Sequence, residues 1–327
     1  MQVHFYNRAF PSANMILVCG KRNVLIDSGF GSDADETLRL LRQRISPRNL
    51  HLIVNTHYHS DHVGGNALLQ ARFRLPVAAH PLDATLINRQ DPSVCGAEYL
   101  DQAVEPYSVT IILEDEEEIL CGDGTARVLH TPGHTRGHLS LYFPQEQVLI
   151  LGDLFHRDDV GWLCPAMEGN QSLENVHSSI ARLRSFPVKE AFSGHGPKIT
   201  DFPATIARAL DRYEKWFQNP TAMAWHASKR IFAYALMISG GMREENIISY
   251  LAALPWWRDF CREIFKTEAS SYAAELIAEM IRSKAARWID GKLVAATAHN
   301  APSTSWTADR CSPEKWHHWN GGRRSNR

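Results

Sequence analysis

Histidine is crowded in this chain where packing gives it no reason to be. The stretch NTHYHSDHVGGN, residues 55–66, puts His57, His59, Asp61 and His62 within six positions and follows them with small and apolar residues. Three further metal-capable groups stand apart in sequence beside turn-forming residues. They are His134 in HTPGHTRGH, Asp153 in LILGDLF and His195 in FSGHGP. Neutral imidazoles and carboxylates are the ligands that zinc and other borderline divalent ions prefer. Glycines next to them let the backbone bend closely around an ion. On an extended segment side chains alternate, so His57 and His59 point the same way and suit one ion. Asp61 and His62, slightly further on, can face a neighbouring one.

The elements that must position these groups can be read from periodicity. ANMILVCG and NVLIDSG are expected to be two buried strands joined by a turn at Gly20-Lys21-Arg22. DADETLRLLRQRI carries apolar residues at helical spacing after an acidic start. LHLIVNTH is a third strand, with the histidine cluster at its end. VTIILEDEEEILCGDGTARVLHTPGH predicts three strands and turns, its acidic run Glu114–Glu118 being a solvated hairpin. QVLILGD and KEAFSGHG add two more strands. The repeated unit is a strand followed by a loop carrying chemistry, which indicates a layered α/β architecture.

The pattern changes after about residue 203. Residues 204–295 read as helices, broken at Gly240-Gly241 and ending in the hairpin RWIDGKLVA with its turn at Asp290-Gly291. Helices followed by a hairpin suggest a winged-helix type of module. The expected units are therefore 1–203, 204–295, and a polar tail, 296–327, read as disordered. Of the tail's groups, the His317-His318 pair is assigned to solvent rather than to a site.

Composition removes several function classes. The chain has 327 residues, 44% of them hydrophobic, and a net charge of −1, so no global basic field recruits nucleic acid or an anionic membrane. No apolar run approaches the roughly 20 residues of a membrane span. The N-terminus lacks a basic start followed by a long apolar stretch, so no signal peptide is expected. The six cysteines have no C-x-x-C spacing and read as free thiols of a reducing compartment, the cytoplasm.

Taken together, T-H-x-H-x-D-H-x-G-G at 56–65, T-P-G-H-T at 131–135, G-D at 152–153 and G-H-G at 194–196 resemble the metallo-β-lactamase superfamily, in the branch of glyoxalase II and lactonases. The resemblance implies an αββα sandwich over residues 1–203, followed here by a small, mostly helical C-terminal domain. It implies two divalent ions, zinc foremost with iron or manganese as alternatives. His57, His59 and His134 would hold the first, Asp61, His62 and His195 the second, and Asp153 would bridge them. Asp27, Thr56 and His138 are candidates for orienting these ligands.

The implied reaction is hydrolysis of an ester, thioester or lactone carbonyl of a small molecule by a metal-bridging hydroxide. Asp61 and Asp153 would orient it and take its proton, and His156 would polarise the carbonyl or protonate the leaving group. The Cys-Gly-Lys or Cys-Gly-Arg step typical of glyoxalase II is missing from GDLFHRDDVGWLCP, which argues against a glutathione thioester. Two alternatives stand beside this reading, an endoribonuclease of the β-lactamase-like type and a mononuclear iron persulfide dioxygenase. Residues 204–295 hold 13 Lys and Arg against 10 Asp and Glu, too weak a surplus for a phosphate-tracking stripe. The expected partner is therefore a small acyl substrate rather than nucleic acid, with no membrane and with self-association left open. The helices should roof the metals, with Trp225 expected to face the substrate.

Overall fold

A computed structural model describes residues 2–89, 94–102 and 104–302. Two sheets form its centre. The first runs β1 (Gln2–Tyr6), β2 (Met15–Cys19), β3 (Asn23–Ile26), β4 (Leu50–Val54), β5 (Val77–Ala79) and β6 (Ile111–Ile112) in sequence order. Its first pairings are antiparallel and those from β3 to β6 are parallel. The second sheet is ordered β11 (Glu190–Phe192), β10 (Val148–Ile150), β9 (Leu139–Phe143), β8 (Gly124–His130) and β7 (Glu118–Cys121), with β10 and β11 parallel and the rest antiparallel.

The two-residue period of the strands decides which layer each side chain enters. On β2, Ile16 and Val18 join Val24, Ile26, Leu52 and Val54 against Val128, Leu139, Leu141 and Ile150 of the other sheet. Met15 and Leu17 turn the other way and pack under α1 (Ala34–Arg42), α3 (Asn66–Phe73) and α4 (Pro81–Arg89). The outer face of the second sheet is covered by α7 (Ser172–Leu183) and α8 (Phe202–Gln218). Full burial of one such aliphatic side chain contributes about 1.5–3 kcal/mol, so three contiguous apolar layers outweigh any surface ion pair. The order is helix, sheet, sheet, helix.

Short helices α2 (Ser60–Val63), α5 (Ala97–Leu100) and α6 (Pro165–Glu168) sit in the loops at one end of the sandwich. Beyond α8 come α9 (Pro220–Ser239), α10 (Glu244–Ala253), α11 (Pro255–Phe260) and α12 (Ala269–Arg282). A three-stranded sheet of order β12 (Met242–Arg243), β14 (Lys292–Ala295) and β13 (Ala286–Ile289) accompanies them. The expected hairpin turn at Asp290-Gly291 lies between β13 and β14, with both residues at positive φ. Trp256 and Trp257 are fully buried in the core of these helices.

Two features differ from the sequence reading. Helix α8 buries Phe202, Ile206, Ala209 and Tyr213 in the same cluster as α7, so it completes the sandwich's outer layer, although its position after residue 203 suggested the C-terminal unit. Trp225 packs on Phe265 and Tyr272, with ring centroids 4.7 and 5.6 Å away, and does not line the cavity over the histidines. Helical periodicity gives the buried face of α9 but not which neighbour covers it. Most of the expected tail, including His317 and His318, lies outside the described residues. Residues 296–302 are described, and Asn300 N–H donates to the Phe10 carbonyl at 2.7 Å.

Candidate metal centre

Each of the motif residues follows the end of a strand. β4 leads into His57 and His59 and then α2, which carries Asp61 and His62; β8 leads to His134, β10 to Asp153 and β11 to His195. These strand ends share one edge of the sandwich, and the side chains converge. Ligand-capable atoms of His57, His59 and His134 lie within 4.8 Å of one another, as do those of His57, His62 and Asp153, and those of Asp61, His62 and His195.

The hydrogen bonds around the rings fix which nitrogen faces inward. Asp27 accepts from Thr56 N–H at 2.8 Å and from Thr56 Oγ1 at 2.7 Å. Its Oδ2 also lies 2.7 Å from His62 Nδ1. A carboxylate can only accept, so Nδ1 of His62 carries the proton and Nε2 turns its lone pair inward. Thr56 Oγ1, having given its hydrogen to Asp27, is an acceptor for His57 Nδ1 at 3.1 Å. His134 Nδ1 donates to the Trp162 carbonyl at 2.7 Å. In the neutral form each of these three imidazoles carries its proton on Nδ1 and leaves Nε2 bare.

This donor set fits a cation. His57 Nε2 and His134 Nε2 approach His59 Nδ1 at 3.1 and 2.9 Å, an arrangement of facing nitrogens. Ligands 2.0–2.1 Å from a tetrahedral ion would stand about 3.3 Å apart. Asp153 reaches toward both halves. Its Oδ1 is 3.3 Å from His62 Nε2, and its Oδ2 is 3.4 Å from His195 Nε2 and 3.8 Å from His134 Nε2. Asp61 Oδ2 is 3.0 Å from His195 Nε2 and 3.8 Å from His62 Nε2. His62 Nε2 and Asp153 Oδ1 are buried facing each other at 3.3 Å and have no other hydrogen-bond partner, a costly state for polar atoms that a shared ion would relieve.

Charge follows the same division. Burial and neighbouring histidines push His57 and His59 well below the usual imidazole range. Burial also opposes charge on His62 and His195, but there the carboxylates win. Asp153, Asp61 and Asp27 raise His62, and Asp153 and Asp61 raise His195 to about 9. Asp153 is held well below the carboxylate range, because His195 and His62 outweigh its burial. One half collects imidazoles that resist protonation, and the other gathers carboxylates that draw positive charge to their side, whether a proton or a metal cation.

Two glycines are required by close approach. A Cβ on Gly194 would stand 2.0 Å from Asp153 Oδ1 and 2.5 Å from His62 Cε1. One on Gly161 would meet the Asp153 carbonyl at 1.9 Å. The His195 loop is pinned by Asn14, whose Nδ2 donates to the Ser193 and Gly196 carbonyls at 2.9 and 2.8 Å. His138 Nε2 accepts from Asp153 N–H at 3.0 Å and so sets that backbone.

A cavity of ≈ 250 Å³ opens over His59, Asp61, Asp153 and His195. His156 lines it, 5.4 Å from the His195 ring by centroids, with Nδ1 buried and unpartnered; burial foremost pushes its pKa down to about 4. Aromatic residues form much of the wall, Trp162 in the HRDDVGW segment expected to be a wall and Tyr234 in the roof helices. Phe10 stacks on His195 at 4.7 Å and Trp162 on His59 at 5.0 Å. Tyr234 of α9 reaches Ser60 Oγ at 3.4 Å and the Pro11 carbonyl at 3.2 Å. No local pattern marks Phe10, which tertiary packing brings in.

Comparison with known proteins gives a consistent account. The sequence model of the metallo-beta-lactamase superfamily matches residues 9–195. A "Beta-lactamase-like protein 2 homolog" of Caenorhabditis elegans is 27% identical over 203 residues, 61% of this chain and 59% of that protein. A hydroxyacylglutathione hydrolase of Methylococcus capsulatus is 32% identical over 144 residues, 44% of this chain and 47% of that protein. The chain thus spans about half the length of these relatives. A crystal structure of a metallo-beta-lactamase family protein from Thermus thermophilus shares the fold, with TM-score 0.61 at 18% identity, over 90% of this chain and 98% of that one.

Proposed function

The chain belongs to the metallo-beta-lactamase superfamily, and from that premise we propose that it is a dinuclear metal-dependent hydrolase of small acyl substrates, an ester, thioester or lactone. The observation that carries this reading is the convergence of seven ligand-capable side chains from four strand ends, their inward-facing nitrogens and oxygens crowded within a few ångströms of one another. His57, His59 and His134 would hold one divalent ion, and Asp61, His62 and His195 the other, with Asp153 between them. Zinc suits the His/Asp set best, and iron and manganese suit it as well. When bound, the ions supply Lewis acidity and an acidified water at neutral pH.

The chain's own residues do the rest. Asp61 and Asp153 orient the attacking water and accept its proton. His156, neutral at pH 7 by its lowered pKa, donates a hydrogen bond toward the leaving group. Phe10, Trp162 and Ile231 exclude bulk water from the cavity. Thioesters gain support from the hydroxyacylglutathione hydrolase relative. The endoribonuclease alternative draws support from the helices and small sheet after the sandwich, but Trp256 and Trp257 are buried and offer bases no stacking surface.

The test is turnover by metal-loaded protein on a thioester, an ester, a lactone and an RNA oligomer. Metal-dependent cleavage of one of the acyl compounds is expected. Cleavage of RNA alone would overturn the reading.

A further inference from the structure

Arginines gather along and behind one wall of the cavity. Arg157 follows His156 on the loop that forms one wall, and Arg230 of α9, paired with Asp159 of that loop, also lines the cavity. Arg208 and Arg212 lie one turn apart on α8, and Arg208 Nη2 donates to the Arg157 carbonyl at 3.1 Å. Among the described residues, the only carboxylates within 4.0 Å of these four guanidinium groups belong to Asp158 and Asp159. Four positive charges therefore meet two negative ones.

A structural role accounts for part of this cluster. Asp159 pairs with Arg230, with Arg212 at 3.5 Å and with His226 at 3.2 Å, which ties the 156–162 loop to α8 and α9. His226 adds no charge at neutral pH, since burial foremost holds its pKa at about 4. The clamp does not account for Arg157 and Arg208. Arg157 is half exposed, pairs only with its sequence neighbour Asp158, and lines the cavity. Arg208 has hydroxyl and carbonyl partners but no carboxylate.

Helix α9 sets the spacing. Tyr234 stands beside Ser60, the residue before Asp61, and Arg230 lies four residues earlier on the same face. Four residues of helix span about 6 Å. The same lining carries the apolar side chains of Val160, Trp162 and Ile231. A guanidinium fork suits the planar or tetrahedral oxygens of carboxylate and phosphate.

We propose that Arg157 and Arg208, beside the Asp159-paired Arg230, bind an anionic group, carboxylate or phosphate, that the acyl substrate carries a few bonds from its scissile carbonyl. This rests on the hydrolase reading and narrows its substrate class.

The test compares three thioesters of one chain length, ending in methyl, carboxylate or phosphate, on the metal-loaded full chain. One anionic ester should exceed the methyl ester in kcat/KM by about tenfold at low salt, and its advantage should shrink as salt screens the site. The better of the two names the group. Arg208→Glu should remove most of that advantage through KM, and Arg157→Glu should act likewise. Equal kcat/KM for the three esters, or an advantage that survives both variants, overturns the inference and leaves the hydrolase reading standing. If none of the three is turned over, the thioester form of the hydrolase reading fails instead. The cluster is then judged by calorimetry with inorganic phosphate and with succinate. Binding of either that Arg208→Glu abolishes upholds an anion site, and no binding of either overturns it. RNA binding that weakens steeply with salt would overturn it by assigning the arginines to a phosphate backbone.

Discussion

At the scale of single residues, Asp27 shows how much of the site is orientation. It sits at φ 57°, a backbone conformation that Asp and Asn tolerate better than most residues, and one carboxylate serves both Thr56 and His62. Asp27→Asn keeps the backbone but presents an amide N–H to one of these donors. Metal affinity should fall about 10–100-fold, as for other partners of ligating histidines, and a metal titration reads it. Gly194→Ala should be harsher, because the new Cβ would overlap Asp153 Oδ1. It should fold and retain less than one metal equivalent. Asp153→Ala should lower activity more than His156→Ala. The latter should lose about 10²–10⁴-fold, the usual share of a proton-transfer group, with metal content unchanged, and a larger loss than in Asp153→Ala would move the central role to His156. The candidate ligand histidines were legible because their type and spacing are improbable for packing. The Trp162 carbonyl and the Phe10 ring were not, because a backbone acceptor or a lone phenylalanine carries no sequence mark of its partner.

At the scale of elements, the strands were legible because burial of alternate faces writes a two-residue period, and β2, β3, β4, β8, β10 and β11 lie where that period or an apolar run put them. Helix packing partners were not legible. The helical pattern of α8 shows an apolar stripe but not that α7 and the second sheet receive it, and Trp225, expected at the cavity, packs within the helical core. The segment after β14 is a further case. Asn300 bonds to Phe10, the residue that stacks on His195, so the end of the described chain braces a wall of the cavity. A chain ending at Ala296 should show a KM about two- to tenfold above one ending at Pro302, the equivalent of one backbone hydrogen bond. Equal KM values would show that Phe10 needs no brace.

At the scale of the whole molecule, buried histidines outside the metal centre make stability depend on pH. His80, stacked on His130, and His226, beside Asp159, are both depressed to about 4, with burial the largest cause. Between pH 6.5 and about 4 the unfolded chain binds protons that the folded chain refuses, so stability falls as pH drops through that window and is unaffected by these groups above it. His80→Asn, which keeps an acceptor for Leu82 N–H, should flatten the fall of Tm between about pH 7 and 4.5 in metal-free protein. An unchanged slope would show that His80 does not carry it.

The central claim is that the sandwich edge holds two ions. Elemental analysis of the protein after saturation with zinc and removal of excess metal tests it most directly. Two equivalents per chain, falling toward one in His195→Ala, are expected. One equivalent in the unaltered chain, with iron retained and oxygen consumed when a persulfide is added, would contradict it and put a mononuclear oxygenase in its place.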